Sequence, residues 1–297
     1  MNSSVDDLPV SVLMTTYAGT PADFLYDAID SVAKCVPKPA QLVLVVDGPL
    51  NKKEEDLLEE IEASKKFSFL DIVRLPKNCG LGTALNAGVP YCSYDWIARM
   101  DSDDYCLPDR FKLQWKLTQD RPDVDLVCGW QIDFEEKFGS WTGIKTVPEE
   151  HEDIASTLIW RCAVPHPSIM VRKSHLESIG GYWKHRFAED YDLFFRLISN
   201  GTRFYGIQKV ILAVRAPPAQ RNRRGGWKVL KLDLLFRWAC FRRGDFGFFT
   251  LMSTSIVYSA FRLSPNFIKS LFYNFSRLKS KNLNQQFDIS SSIVTAK

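Results

Sequence analysis

Short runs of consecutive apolar residues alternate with stretches of helical periodicity along most of this chain. Residues 10–15 are the first run, closed by Thr16-Tyr17-Ala18-Gly19, and they predict a buried strand followed by a turn. Phe24, Leu25, Ala28, Ile29 and Val32 then recur at the spacing of one helix face. The alternation continues with predicted strands at 41–46, 70–75 and 96–100 and predicted helices at 54–63 and 82–89. Past 104 the pattern predicts a helix over 105–120, a strand at 126–133, a short helix near 151–160 and a strand at 169–172. A tight turn at Gly180-Gly181, a helix from 187 to about 199 and a last strand at 210–214 complete it. Strands separated by helices imply right-handed βαβ units and an α/β fold with a mostly parallel sheet. Ligands of such sheets bind at the carboxyl ends of the strands. Tyr17, Asp47, Asn78 and Asp101 all fall at those ends, so the pattern gathers them around one crevice.

Charge divides the chain where the pattern changes. Residues 1–220 carry 24 Lys and Arg against 32 Asp and Glu, a net of −8, whereas residues 221–297 carry 14 against 3, a net of +11. A basic tail faces either nucleic acid or an anionic membrane. Trp227, Phe236, Trp238, Phe241, Phe246, Phe248, Phe249, Tyr258 and Phe261 are interleaved with its charges, which favours the membrane and argues against nucleic acid. The uncharged stretch 246–261 is shorter than the roughly twenty residues of a spanning helix, and Arg and Lys flank both its ends. The expectation is a catalytic domain over 1–226, amphipathic helices over 227–281 lying on the cytoplasmic leaflet, and a flexible tail at 282–297. A helical lid packed on the catalytic domain is the other reading. On the first, a truncation at 226 leaves a folded nucleotide-binding domain. The 7 scattered cysteines show no Cys-x-x-Cys spacing, which argues for reduced thiols, and the polar, acidic N-terminus shows no signal peptide. The expected setting is the cytoplasm, peripheral to the membrane.

The candidate chemistry is concentrated in two acidic clusters. In Ile97-Ala-Arg99-Met-Asp101-Ser102-Asp103-Asp104 a buried strand breaks into three carboxylates, and positions i and i+2 project to one side. Acids aimed together repel unless a cation lies between them, and hard oxygen ligands suit Mg²⁺ or Mn²⁺. The bland alternative is an acidic turn capping the helix that follows Pro108. Glu189, Asp190 and Asp192 open a helix where one acid suffices for capping, so an Asp there is a candidate general base. His166 stands between two prolines on a stiff loop, where it serves either the site or the fold. Arg221, Arg223 and Arg224 either clamp a pyrophosphate or begin a juxtamembrane basic cluster. Gly80-Leu-Gly82 opens a helix as a dinucleotide fingerprint would, but Leu85 replaces the third glycine and the motif follows the third strand, which argues against NAD.

In order and spacing these motifs resemble the inverting family 2 glycosyltransferases of the GT-A fold, in particular bacterial enzymes of capsule, exopolysaccharide and O-antigen synthesis. The resemblance spans 10–226, through Val-Val-Asp-Gly-Pro, Asn78-x-Gly80-Leu-Gly-x-Ala-Leu-Asn86, Arg99-Met-Asp-Ser-Asp-Asp, His166-Pro-Ser, Gly-Gly-Tyr and Glu189-Asp-Tyr-Asp. It implies that Thr15, Thr16 and Tyr17 flank the base of a nucleotide-diphosphate sugar, with UDP the analogy's choice, and that Asp47 hydrogen-bonds it. Asn78 and Gly80 would line the base and ribose pocket, with Asn86, Arg99, Ser102, Arg223 and Arg224 also on the donor. Asp101 would meet the ribose or a metal-bound water, Asp103 the metal bridging the diphosphate, Glu189 and His166 the acceptor, and Asp190 would be the base. The chain departs from many relatives at Ala18, where they carry Asn. The implied activity is transfer of a hexosyl-type sugar to a glycan or lipid-linked acceptor. A sugar-phosphate nucleotidyltransferase would need a basic, Gly-rich loop after the first strand, where this chain has Thr15-Thr16-Tyr17-Ala18. A non-catalytic membrane-attached scaffold would have had no reason to keep Asp103 and Asp190.

Overall fold

The computed structural model of the protein describes residues 7–135, 137–183, 188–216 and 226–264, the side chain of Lys228 excepted. Nine strands form a single sheet in the order β3-β2-β1-β4-β8-β6-β9-β5, with β7 paired to β6. The long pairings are parallel: β1 (Leu8–Thr16) lies between β2 (Pro39–Val46) and β4 (Trp96–Asp101), with β3 (Leu70–Arg74) outside β2. On the far side β6 (Leu126–Phe134) runs parallel to β9 (Phe204–Arg215). The short β8 (Met170–Arg172) joins the halves antiparallel to both β4 and β6.

Residues of successive parity pack on opposite faces, as the pleat requires. Val10, Val12 and Met14 face α1 (Ala22–Ala33), α2 (Lys52–Ser64) and α4 (Arg110–Asp120) through Leu25, Ile29, Leu58 and Phe111. Leu13, Val43 and Val45 face the other way, onto Leu85 and Val89 at α3 (Leu81–Gly88). That second core continues through Ile154 and Leu158 of α5 (His151–Trp160), Leu176 of α6 (Lys173–Ser178), and Leu193, Phe194 and Leu197 of α7 (Glu189–Ser199). Both faces are covered, which is why β1 and β2 read as continuous apolar runs rather than alternating ones.

Two helices follow, α8 (Trp227–Arg243) and α9 (Phe248–Leu263). They belong to the same body as the sheet. Phe236 and Cys240 of α8 are buried in the core that contains α7, and Phe236 stacks at 5.0 Å on Tyr191. Arg243 closes the contact by donating from Nη1 to the fully buried Asp192, 2.6 Å away, while Arg196 holds the other Asp192 oxygen at 2.7 Å. No described helix is long and apolar enough to cross a membrane. Residues 265–297, and with them most of the expected tail, lie outside the described residues.

The predicted helix over 105–120 is shorter than expected: Tyr105–Cys106 form β5, antiparallel to β9, and α4 begins at Arg110 after Pro108. The strand β7 (Trp141–Lys145) and helix α6 were not signalled by the pattern, and β9 begins at Phe204 rather than 210.

Candidate active site

The carboxyl ends of β1, β2 and β4 are in register, Thr16 beside Val46 and Thr15 beside Asp101, so the residues that follow these strands meet at one edge. That edge opens onto a cleft of about 1620 Å³. Thr15, Thr16, Tyr17, Asp47, Asn78, Gly80, Arg99, Asp101, Ser102, Asp103, His166, Glu189 and Asp190 all line it.

On the β2 side the Asp47 carboxylate is fully engaged. Its Oδ1 accepts the Cys79 amide at 2.7 Å and its Oδ2 accepts the Gly80 amide at 2.9 Å, so it shapes the 78–80 loop that forms the pocket wall. Gly48 makes the close approach possible: its φ is +88°, and a Cβ there would stand 2.5 Å from the Asn78 nitrogen. Tyr17 is half-exposed at the rim.

Asp101, Asp103 and Asp104 present carboxylate oxygens within 4.8 Å of one another. Burial, and then the negative charge of Asp101, pushes the Asp103 carboxyl up to about 6. Asp104 is raised further for the same reasons, although its Oδ1 accepts the Arg215 amide at 3.0 Å. Its Oδ2 is buried with no hydrogen-bond partner among the described residues. Three clustered acids, Asp104 buried and the other two half-buried, with one orphaned oxygen have the donor chemistry that a divalent cation needs, and hard oxygen ligands suit Mg²⁺ or Mn²⁺. Arg99, two residues earlier on β4, directs Nη2 to Asp101, and its Nε and Nη1 are buried without hydrogen-bond partners among the described residues.

Opposite the cradle, α7 starts at Ala188, whose φ of +54° is left-handed, a conformation that costs an alanine roughly 1–2 kcal/mol. The turn aims Glu189 and Asp190 into the cleft. Burial, followed by the neighbouring Asp190 charge, raises the Glu189 carboxyl. Asp190 accepts the Tyr191 amide at Oδ1 (2.8 Å), and its Oδ2 lies 3.8 Å from the Cys162 thiol. His166 is buried with Nε2 3.2 Å from the Tyr182 hydroxyl. Burial and the Arg99 charge lower its pKa well below the ordinary value, so the ring is neutral.

Asn86 stands apart from the other candidate donor residues. It does not line the cleft; its amide brackets the backbone of Tyr182, donating to the carbonyl at 2.7 Å and accepting the N–H at 2.7 Å. Gly181 has to be a glycine beside it, since a Cβ would come 2.3 Å from Asn86 Oδ1. Arg221, Arg223 and Arg224 lie outside the described residues. The pattern missed Arg215, which ends β9 at the cleft with its guanidinium 3.5 Å over the Phe24 ring and Nε donating to the Asp103 carbonyl at 3.3 Å. The strand-end rule that found Asp47 would have found it. Lys145, Arg161 and the cleft-facing side of α9 had no signal short of the fold itself.

The sheet order and the acidic cluster at a parallel strand end are two features by which this chain can be compared with known proteins. The family model described as glycosyl transferase family 2 matches residues 11–180, and the chain belongs to that family. It is 33% identical over 224 residues to the amylovoran biosynthesis glycosyltransferase AmsE of Erwinia amylovora, covering 75% of this chain and 82% of that protein. It is 28% identical to the UDP-Gal:alpha-D-GlcNAc-diphosphoundecaprenol beta-1,3-galactosyltransferase of Escherichia coli, over 90% of this chain and 96% of that one. Among solved structures, S. aureus TarS 1–349 in complex with UDP-GlcNAc superposes with a TM-score of 0.60 at 16% identity, covering 78% of this chain and 66% of that 1–349 chain. The fold is GT-A.

Proposed function

We propose that the protein is an inverting hexosyltransferase that moves a sugar from a UDP-sugar to a hydroxyl of a lipid-linked saccharide during surface polysaccharide synthesis. The observation that carries this reading is the pairing, in one cleft, of the Asp101–Asp103–Asp104 cradle with Asp190 at the start of α7. Asp103 and Asp101 would hold Mg²⁺ or Mn²⁺, which when bound supplies Lewis-acid stabilisation of charge on the departing diphosphate. Thr15, Thr16, Tyr17, Asn78 and Gly80 bound the base and ribose side, with Asp47 fixing the loop.

Asp190 takes the proton from the acceptor hydroxyl as that oxygen bonds to C1, and the C1–O bond to the diphosphate breaks on the opposite face. One displacement of this kind inverts the anomeric centre and needs no carboxylate nucleophile. Glu189 and the neutral His166 orient the acceptor. The relatives named for amylovoran biosynthesis and for a diphosphoundecaprenol acceptor support an acceptor built on a lipid. Exposed Trp238, Phe248, Phe249 and Met252, next to Arg242, support peripheral attachment to the cytoplasmic face of the membrane through α8 and α9.

Release of UDP from a panel of UDP-sugars, with and without Mn²⁺, tests the reading. Metal-dependent release is expected for one of them. Diphosphate release from a nucleoside triphosphate would identify a nucleotidyltransferase instead, and no turnover of either kind would leave a scaffold.

A further inference from the structure

The cleft is larger than its donor half requires. Sites for one small molecule enclose roughly 300–1,000 Å³, and this one encloses about 1620 Å³. The surplus lies beyond Glu189 and Asp190, between the end of α5 and the last turns of α9. Trp160, Arg161 and Cys162 form one side, and Ile256, Val257 and Phe261 the other. The Tyr258 hydroxyl joins the two by donating to the Trp160 carbonyl at 3.0 Å, and the buried Arg237 guanidinium backs the Tyr258 ring at 3.8 Å.

Ile256 is 63% exposed, Val257 50% and Trp160 49%, an unusual concentration of open apolar surface for a wall of a polar cleft. Phe249 and Met252 precede Ile256 by seven and four positions on α9, so the exposed stripe runs continuously out of the cleft along that helix. Arg161 lines the same side, between Trp160 and the Cys162 whose thiol lies 3.8 Å from Asp190, and it is exposed and without an ion-pair partner among the described residues.

A lone apolar wall has many uses; an apolar wall that begins at a cation beside a candidate base has fewer. We infer that this ledge is the acceptor's aglycone site: Arg161 meets an anionic diphosphate linkage, and Ile256, Val257 and Trp160 carry the first isoprene units of a polyprenyl chain. The stripe along α9 then leads the chain towards the membrane. This assignment rests on the glycosyltransferase reading for its meaning. Its physical content, a prenyl-diphosphate site separate from the donor site, is measurable by itself.

The probe is geranylgeranyl diphosphate, titrated calorimetrically into the full-length protein below the probe's micelle concentration, with and without saturating UDP and Mn²⁺. Binding is expected in both conditions, because the donor site is already filled in one of them. The double variant Ile256→Gln, Val257→Gln should weaken binding about tenfold or more, in line with roughly 0.8 kcal/mol for each buried CH₂. Its UDP affinity and melting temperature should stay at the wild-type values, which separates a lost contact from a lost fold. Arg161→Gln should weaken geranylgeranyl diphosphate and leave geranylgeraniol unchanged.

Competition by UDP would overturn the assignment, since the probe would then occupy the donor site. So would equal binding by inorganic diphosphate, or wild-type binding in the double variant. Failure of the full chain to bind the probe would overturn it too, and would point to residues 265–297 covering the ledge. If UDP itself fails to bind while the prenyl probe binds, it is the glycosyltransferase reading that falls.

Discussion

Asp103 and Asp190 enter one cleft from unrelated elements, the end of β4 and the first turn of α7, and their surroundings suit them to different work. Asp103 is pushed up to about 6 by burial and then by Asp101, which is the response of a carboxylate waiting for a cation. The folded state binds that proton more tightly than the unfolded chain does. The metal-free fold therefore loses this contribution as pH rises from about 4 through 6. A divalent ion has to displace the proton, so the rise in melting temperature on adding Mn²⁺ should be full at pH 7.5 and shrink at pH 5.5. A pH-independent rise would place the ion elsewhere. Asp103→Asn should remove both that rise and turnover. Asp190→Asn should instead keep UDP affinity and lower turnover by roughly 10²–10⁴-fold, the worth of a general base. If UDP affinity collapses with the rate, Asp190 is a donor or structural residue.

At the scale of elements, the site is held together by contacts that sequence spacing conceals. The Asn86 amide on α3 and the Tyr182 backbone are 96 positions apart, and their two hydrogen bonds pin the Gly180-Gly181 turn against the donor-side helix. Arg196 of α7 grips the same turn through the Ile179 and Gly181 carbonyls at 2.9 and 2.7 Å. Asn86→Ala should therefore cost stability, about 1–3 kcal/mol for buried groups left unpaired, seen as a lower melting temperature. UDP affinity measured below that temperature should not change, and a large loss of affinity would restore Asn86 to the donor site. Asn86 sits within a motif, and from the residues alone a motif asparagine reads equally as ligand or brace. The strand-end residues were legible because parallel β1, β2 and β4 are continuous apolar runs with polar ends. The antiparallel insertions were not. Tyr105–Cys106 is two residues long, and Trp141–Lys145 is interrupted by Gly143. Gly206 hides the start of β9, where a Cβ would come 2.0 Å from the Pro148 carbonyl oxygen. Strand direction leaves no mark in the pattern, so β8 could be read as a strand without revealing that it reverses.

At the scale of the whole molecule, the burial of α8 bears on how far the residues up to 226 hold their fold without it. The basic, aromatic composition of the last quarter drew attention to a membrane surface, and composition does not tell which aromatic faces inward. Phe236, Cys240 and Leu230 are buried, and Arg243 supplies one of the two cations on a fully buried Asp192. Stripping one partner from a buried ion pair costs roughly 3–5 kcal/mol, and re-exposing a large core side chain adds about 1.5–3 kcal/mol. Set against a typical total of 5–15 kcal/mol, removal of α8 consumes much of the margin. A chain ending at 226 should be insoluble or melt far below the parent. A milder variant is Arg243→Met in the full chain, which tests the clamp without removing the core. Its melting temperature should fall, and turnover should fall more than UDP affinity, because Asp192 stands two residues from Asp190 on α7. A truncation at 226 that melts with the full protein and binds UDP would show that α8 and α9 are an appendage after all, free to lie on the membrane rather than to build the cleft.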